Sequence, residues 1–140
     1  MFVEHNFFVG ARDINSLKEL TNTALLSYLE DVACIHSEIA GYGITNMYTI
    51  KKTWILLSWK IKVIERPKFS DNLKVKTWSR LIDKFYAYRD FEVYDENNNL
   101  IAIATSKWVF IDIEKGKIIK ISEEVARCLW SRKHVCFWKW

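Results

Sequence analysis

Proline and glycine are scarce in this chain: 1 and 4 among 140 residues. So few glycines leave no Gly-rich loop to cradle a phosphate. There is no linker, internal repeat or low-complexity tract. Cysteine is scarce too. Cys34, Cys128 and Cys136 are odd in number and form no framework, which excludes a disulfide-stapled scaffold and reads as reduced thiols. His134 and Cys136 lack a second pair at zinc-site spacing, so neither a metal nor a cofactor is expected. No run approaches the ~18 apolar residues that suggest a membrane span. Residues 1–10 place Glu4, His5 and Asn6 where a signal peptide needs a positive start and an apolar run. A cytoplasmic location is therefore expected.

What is present points to one folded unit. Half of the residues are hydrophobic and 27% are charged, which excludes a disordered chain. A length of 140 residues suits a single domain with its own core. The net charge of +4 is unevenly placed. Residues 1–50 hold two basic side chains, Arg12 and Lys18, against six acidic ones. Residues 51–140 hold 19 basic against 11 acidic. That asymmetry reads either as solvated strand faces or as attraction to an acidic partner.

Residues 2–9 read as a first strand and 10–20 as a polar loop. Thr21 or Asn22 can cap a helix, because a side-chain oxygen there accepts a free backbone N–H. In the helix, Leu25, Leu29, Val32, His36 and Ala40 recur at three- and four-residue spacing. Tyr28, Ile35 and Ile39 widen the stripe, so the helix should be wrapped by other structure. Gly41 and Gly43 stop it. Strands follow. Over residues 53–65, Ile55, Leu57, Trp59, Ile61 and Val63 fall on one face, opposite Ser58, Lys60 and Lys62. Over 73–82, Leu73, Val75, Thr77 and Leu81 oppose Lys74, Lys76 and Arg80. Asp83 and Lys84 turn the chain into a strand over 85–94. Residues 95–99 form a hairpin turn in which Asn tolerates positive φ. A long strand over 100–113, a turn at 114–117 and a short strand at 118–121 complete the series. Ser122 starts a short helix, with Glu123 and Glu124 at its positive end.

One long apolar helix wrapped by one curved antiparallel sheet is an α+β fold of the hotdog kind. Its uncovered sheet face and open edge strand suggest pairing with another hotdog, as a homodimer or higher homo-oligomer. The expected boundaries are a domain over 1–125 and a tail or connector over 126–140.

The order of these pieces resembles the acyl-acyl carrier protein thioesterase family. LTNTALLSYLEDVACIHSEIAGYGI (20–44) is similar to that family's first hotdog helix. TWILLSWKIKVIERP (53–67) resembles its tryptophan-bearing strand and the proline turn after it. LKVKTWSR (73–80) resembles its V-x-T-W strand, and YRDFEVYDENNNLIAIATSKWVFID (88–112) its arginine strand, hairpin and S-x-W-x-x-x-D strand. The resemblance implies hydrolysis of fatty acyl thioesters in fatty acid biosynthesis, with acyl carrier protein as partner. It further implies two hotdogs per enzyme: the first shapes the acyl pocket and the second carries most catalytic groups. This sequence resembles the first.

The family's catalytic loop pattern is D-x-D-x-N-x-H. Laid on residues 13–19, only Asp13 matches. Asn15 replaces the second Asp, Leu17 the Asn and Glu19 the His. An Asn cannot act as a base and Leu offers no hydrogen bond. The family's helix carboxylate falls near Glu30 and Asp31. The candidate catalytic residues are therefore Asp31 or Glu30 as base, with Asp13 and Asn15 positioning the thioester or its water. The ordinary alternatives are exposed helix acids and turn residues.

His36, Trp54, Trp78 and Trp108 are the candidate substrate-binding residues, lining an acyl tunnel or filling a core. Trp59 divides the same way. Cys34, with no cationic neighbour in the helix, reads as an inert core thiol. Arg89, mid-strand among apolar neighbours, should be buried and paired to a carboxylate. Lys60, Lys62, Lys74 and Lys76 form a basic face suited to acidic acyl carrier protein. A non-catalytic acyl-binding hotdog is the second reading of the chain. Nucleic-acid binding lacks a motif and is not expected.

Overall fold

The computed structural model describes residues 2–129. His134, Cys136 and the tryptophan-rich end of the sequence lie outside the described residues. Six strands are present: β1 (Phe2–Phe8), β2 (Lys52–Val63), β3 (Asn72–Asp83), β4 (Tyr86–Tyr94), β5 (Leu100–Asp112) and β6 (Lys117–Ile119). Three helices accompany them: α1 (Asn22–Ile39), α2 (Met47–Ile50) and α3 (Glu123–Leu129). The strands form one antiparallel sheet in the order β1-β3-β4-β5-β2, with β6 paired to the end of β5. The sheet wraps α1, as the hotdog reading expects.

Local chemistry sets the boundaries. Thr21 caps α1 by accepting from the Ala24 N–H at 3.1 Å. Gly41, at φ +86°, ends it in a conformation that a side chain would strain. In the 95–99 hairpin, Asp95 Oδ1 accepts from the backbone of Asn97 and Asn99, and Asn98 takes φ 61°. Ser122 Oγ accepts from the Val125 N–H at the start of α3. That helix runs on to Leu129, which is buried, so the folded unit continues past residue 125. The helical turns at Ile44–Asn46 and Met47–Ile50 have no counterpart in the sequence reading.

The core divides in two. The larger cluster joins Leu25, Leu29 and Val32 of α1 to Val75, Phe91, Val93 and Ala104 of the sheet. The smaller gathers Ala87, Phe110, Ile121, Val125 and Leu129, with Trp54, Tyr42 and Trp108 packed against it. Between the two, β2 slips register between Leu56 and Ser58, and β3 between Ser79 and Leu81. Each slip is a β-bulge, an extra residue that reverses which side chains face inward beyond it.

The bulges correct the strict alternation read from the sequence. In β2, Trp59, Ile61 and Val63 pack on the larger cluster, but Ile55 and Leu57 are exposed and Trp54 turns inward instead. In β3, Leu73, Val75 and Thr77 are buried while Leu81 is exposed and Ile82 turns inward. One helix residue is also corrected. Ile39, in the last turn of α1, is 62% exposed, because the wrapping ends before it.

Candidate functional site

Where the bulges open the sheet away from the second half of α1, a cavity of about 180 Å³ remains. Its helix wall comes from Glu30, Ala33, Cys34 and Ser37. Its sheet wall comes from Trp54, Ser79, Ala87, Arg89 and Trp108, and α3 contributes Leu129. The segment after α1 closes one side with Tyr42 and Gly43. Gly43 is required there: a Cβ would come within 2.6 Å of the Glu38 Cα, a backbone atom that cannot swing aside.

The aromatic wall is well fixed. Trp54 packs on Phe110 with ring centroids 4.4 Å apart. Trp108 Nε1 donates to Ser106 Oγ at 2.7 Å. The Trp54 N–H is buried without a hydrogen-bond partner among the described residues.

Arg89 departs from its expected pairing. It is buried, yet its Nη1 donates to His36 Nδ1 at 2.8 Å and to Thr77 Oγ1 at 3.2 Å, and no described carboxylate pairs with it. Strand alternation explains this. The adjacent carboxylate, Asp90, points to the opposite sheet face and pairs with Arg80 at 3.0 Å. Burial pulls the Arg89 pKa down to about 10, which still leaves it charged at neutral pH. Burial first, and then Arg89, push the His36 pKa down to about 3. His36 is therefore neutral, and accepting at Nδ1 places its proton on Nε2. Burial raises the Cys34 thiol, helped by Glu30 and Asp31, so it is not a thiolate nucleophile.

The structure gathers some of the sequence candidates and scatters the rest. Trp54, Trp108 and Glu30 line the cavity. His36 stands behind it, touching it through Arg89. Trp78 is buried on the sheet face opposite Thr77 and does not line it. Asp31 is exposed and not part of the lining, because the next residue on a helix points about 100° away. Asp13 and Asn15 are occupied elsewhere. Asp13 Oδ2 accepts from the Tyr28 hydroxyl at 2.6 Å. Asn15 Oδ1 accepts from the Leu17 and Glu19 N–H groups, a turn-forming role. Ser79 and Ala33, which sequence reasoning passed over, are lining residues. The sequence carries no signal for them, since a bulge and a helix crossing place them there.

A helix wrapped by an antiparallel sheet, with a chamber between them, defines a hotdog protein. The family follows from comparison with known proteins. The model of the acyl-ACP thioesterase N-terminal domain matches residues 2–129, and the chain belongs to that family. Oleoyl-acyl carrier protein thioesterase 2 of Arabidopsis thaliana is 25% identical over 129 residues, covering 87% of this chain and 35% of that protein. The chain thus spans about a third of the length of that relative. The acyl-ACP thioesterase of Bacteroides thetaiotaomicron superposes with a TM-score of 0.87 at 22% identity, over 99% of this chain and 56% of the other. A 1,4-dihydroxy-2-naphthoyl-CoA thioesterase from Synechocystis gives 0.80 at 14% identity, covering 92% of this chain and 96% of the other. These structural likenesses establish the fold. Among the described residues, no helix is long and apolar enough to cross a membrane.

Proposed function

We propose that this chain forms the acyl-binding hotdog of an acyl-acyl carrier protein thioesterase that hydrolyses fatty acyl thioesters in fatty acid biosynthesis. The supporting observation is the apolar chamber between α1 and the bulged end of the sheet, in a chain of that family. The acyl chain lies between Trp54 and Trp108. Glu30, exposed at the rim, takes a proton from the attacking water. Water adds to the thioester carbonyl, the C–S bond breaks, and the proton returns to the departing thiol. No cofactor takes part. Asp13 and Asn15 serve the loop before α1, so a partner hotdog supplies further catalytic groups. The exposed Ile55 and Leu57 on edge strand β2 suit pairing with another hotdog, and a homodimer or higher homo-oligomer would cover them. The protein works in the cytoplasm, consistent with its free Cys34 and Cys128.

Hydrolysis of long-chain acyl thioesters, followed by thiol release, tests the assignment. Glu30→Gln is expected to lower kcat by about 10²-fold or more, and Asp31→Asn to leave it near wild type. Equal rates for wild type and Glu30→Gln would remove Glu30 as the base. Tight acyl binding with no turnover would favour the second reading, a non-catalytic acyl-binding hotdog. That reading draws support from the structural employment of Asp13 and Asn15.

Acyl carrier protein, an acidic partner, docks on basic side chains of the sheet. Lys60 and Lys62 of β2 are exposed. Lys74 and Lys76 of β3 extend that face; Lys76 also pairs with Glu4 at 3.3 Å and Lys74 with Asn98. Binding should weaken by about tenfold or more between low and physiological salt. Affinity indifferent to salt would sink this docking mode.

A further inference from the structure

The cavity has a chemical asymmetry that a plain hydrocarbon chain does not use. Its rim holds exposed Glu30, while its buried side holds Arg89, only 6% exposed. The guanidinium is held at Nη1 by two neutral acceptors, His36 Nδ1 and Thr77 Oγ1. They fix its position without cancelling its charge. No described carboxylate pairs with it. An unanswered donor lies in the same wall: the Trp54 N–H, buried and without a described partner. Buried cations and donors are costly when nothing faces them, so this wall is matched to an anionic acceptor. Ala87, Trp108, Tyr42 and Leu129 add apolar surface suited to hydrocarbon, beside the small hydroxyls of Ser37, Thr53 and Ser79.

From this juxtaposition we infer that the cavity binds a fatty carboxylate, with its carboxylate on Arg89 and its chain along the aromatic wall. The inference rests on the reading of this chamber as an acyl site. A fatty carboxylate is the product that thioester hydrolysis releases. Bound head inward, it lies opposite in sense to a carrier-tethered acyl chain, whose free end enters first. The two cannot occupy the chamber together, so product holds back substrate entry.

Calorimetric titration of the full protein with decanoate and with decanol tests this. Decanoate is expected to bind at least about tenfold more tightly, since a charge-assisted hydrogen bond distinguishes it. In Arg89→Met that preference should vanish while decanol still binds. Trp54→Phe keeps the ring packing and removes only the N–H, and should weaken decanoate alone by about fivefold. Equal affinity of the two ligands for wild type overturns the inference and leaves the acyl chamber standing. No binding of either ligand overturns both. Displacement of decanoate by inorganic phosphate at comparable concentration marks a general anion site and overturns the fatty carboxylate assignment.

Discussion

The two halves of the sheet answer to different demands. On the side of β1 and the first turns of α1, the interior is solid. Leu25, Leu29, Val32, Val75, Phe91 and Val93 show no exposure at all. Beyond the bulges, the interior holds a chamber, an unpaired buried Arg89 and an unpartnered Trp54 N–H. The first half has a close-packed apolar interior, and the second leaves a space and unanswered polar groups within a few residues of each other. Concentrated exceptions of that kind mark a site, because a fold that did not need them would have filled the space. The bulges in β2 and β3 are the device that separates the halves: they let one pair of strands serve a closed core and an open chamber.

The contrast can be broken most forcefully by carving the solid half. Phe91→Ala should cost about 3–5 kcal/mol of stability in urea unfolding, because a close-packed core collapses only partly around the void. The matching change in the open half adds volume. Ala87→Leu, on the chamber wall, should shift stability by less than about 1 kcal/mol and block acyl binding. Similar penalties for the two would show that the chamber is as tightly filled as the core.

The seam between the halves has a pH signature. His36 has its pKa lowered to about 3 in the fold, against 6.5 when unfolded. Below pH 6.5 the unfolded chain binds the proton that the native state refuses. Its stabilising contribution is therefore full above pH 6.5 and is lost as pH falls toward 3. Between pH 7 and pH 5 this amounts to about 2 kcal/mol. Urea midpoints at the two pH values should converge in His36→Gln. A slope unchanged by that substitution would mean that another group governs the acid limb.

The solid half's outer loop should give a smaller effect than its core. Tyr28→Phe removes the hydroxyl bonded to Asp13, and should cost about 1.5 kcal/mol with no change in acyl binding. Burial, with the Asp13 bond and charge adding to it, raises the Tyr28 pKa to about 12. The contribution should persist below pH 10 and fade as pH rises through 12. Loss of turnover in Tyr28→Phe would return Asp13 to the catalytic candidates.

Much of the fold was legible because its signals are local. The Thr21 cap, the helical stripe, the Gly41 stop, the Asn-rich hairpin and the succession of strands along the chain follow from short-range periodicity and turn chemistry. The family was legible for the same reason, through four motifs in sequence. The site was less so. Trp54, Trp108 and Glu30 meet at the chamber, but Asp31, Asp13, Asn15 and Trp78 do not. Arg89 was legible as a buried cation, though not as one without a carboxylate.

These differences have one cause. Alternation along a strand is determined by the sequence only until a bulge, and nothing in LLS (56–58) or SRL (79–81) announces one. Whether Ile55 or Trp54 faces the helix depends on the register with β5, a contact across more than fifty residues. The sequence by itself determined a hotdog helix, its strands and its family. Only the tertiary structure decided where the strands slip, and so where the sheet stands off the helix and which side chains enclose the space left between them.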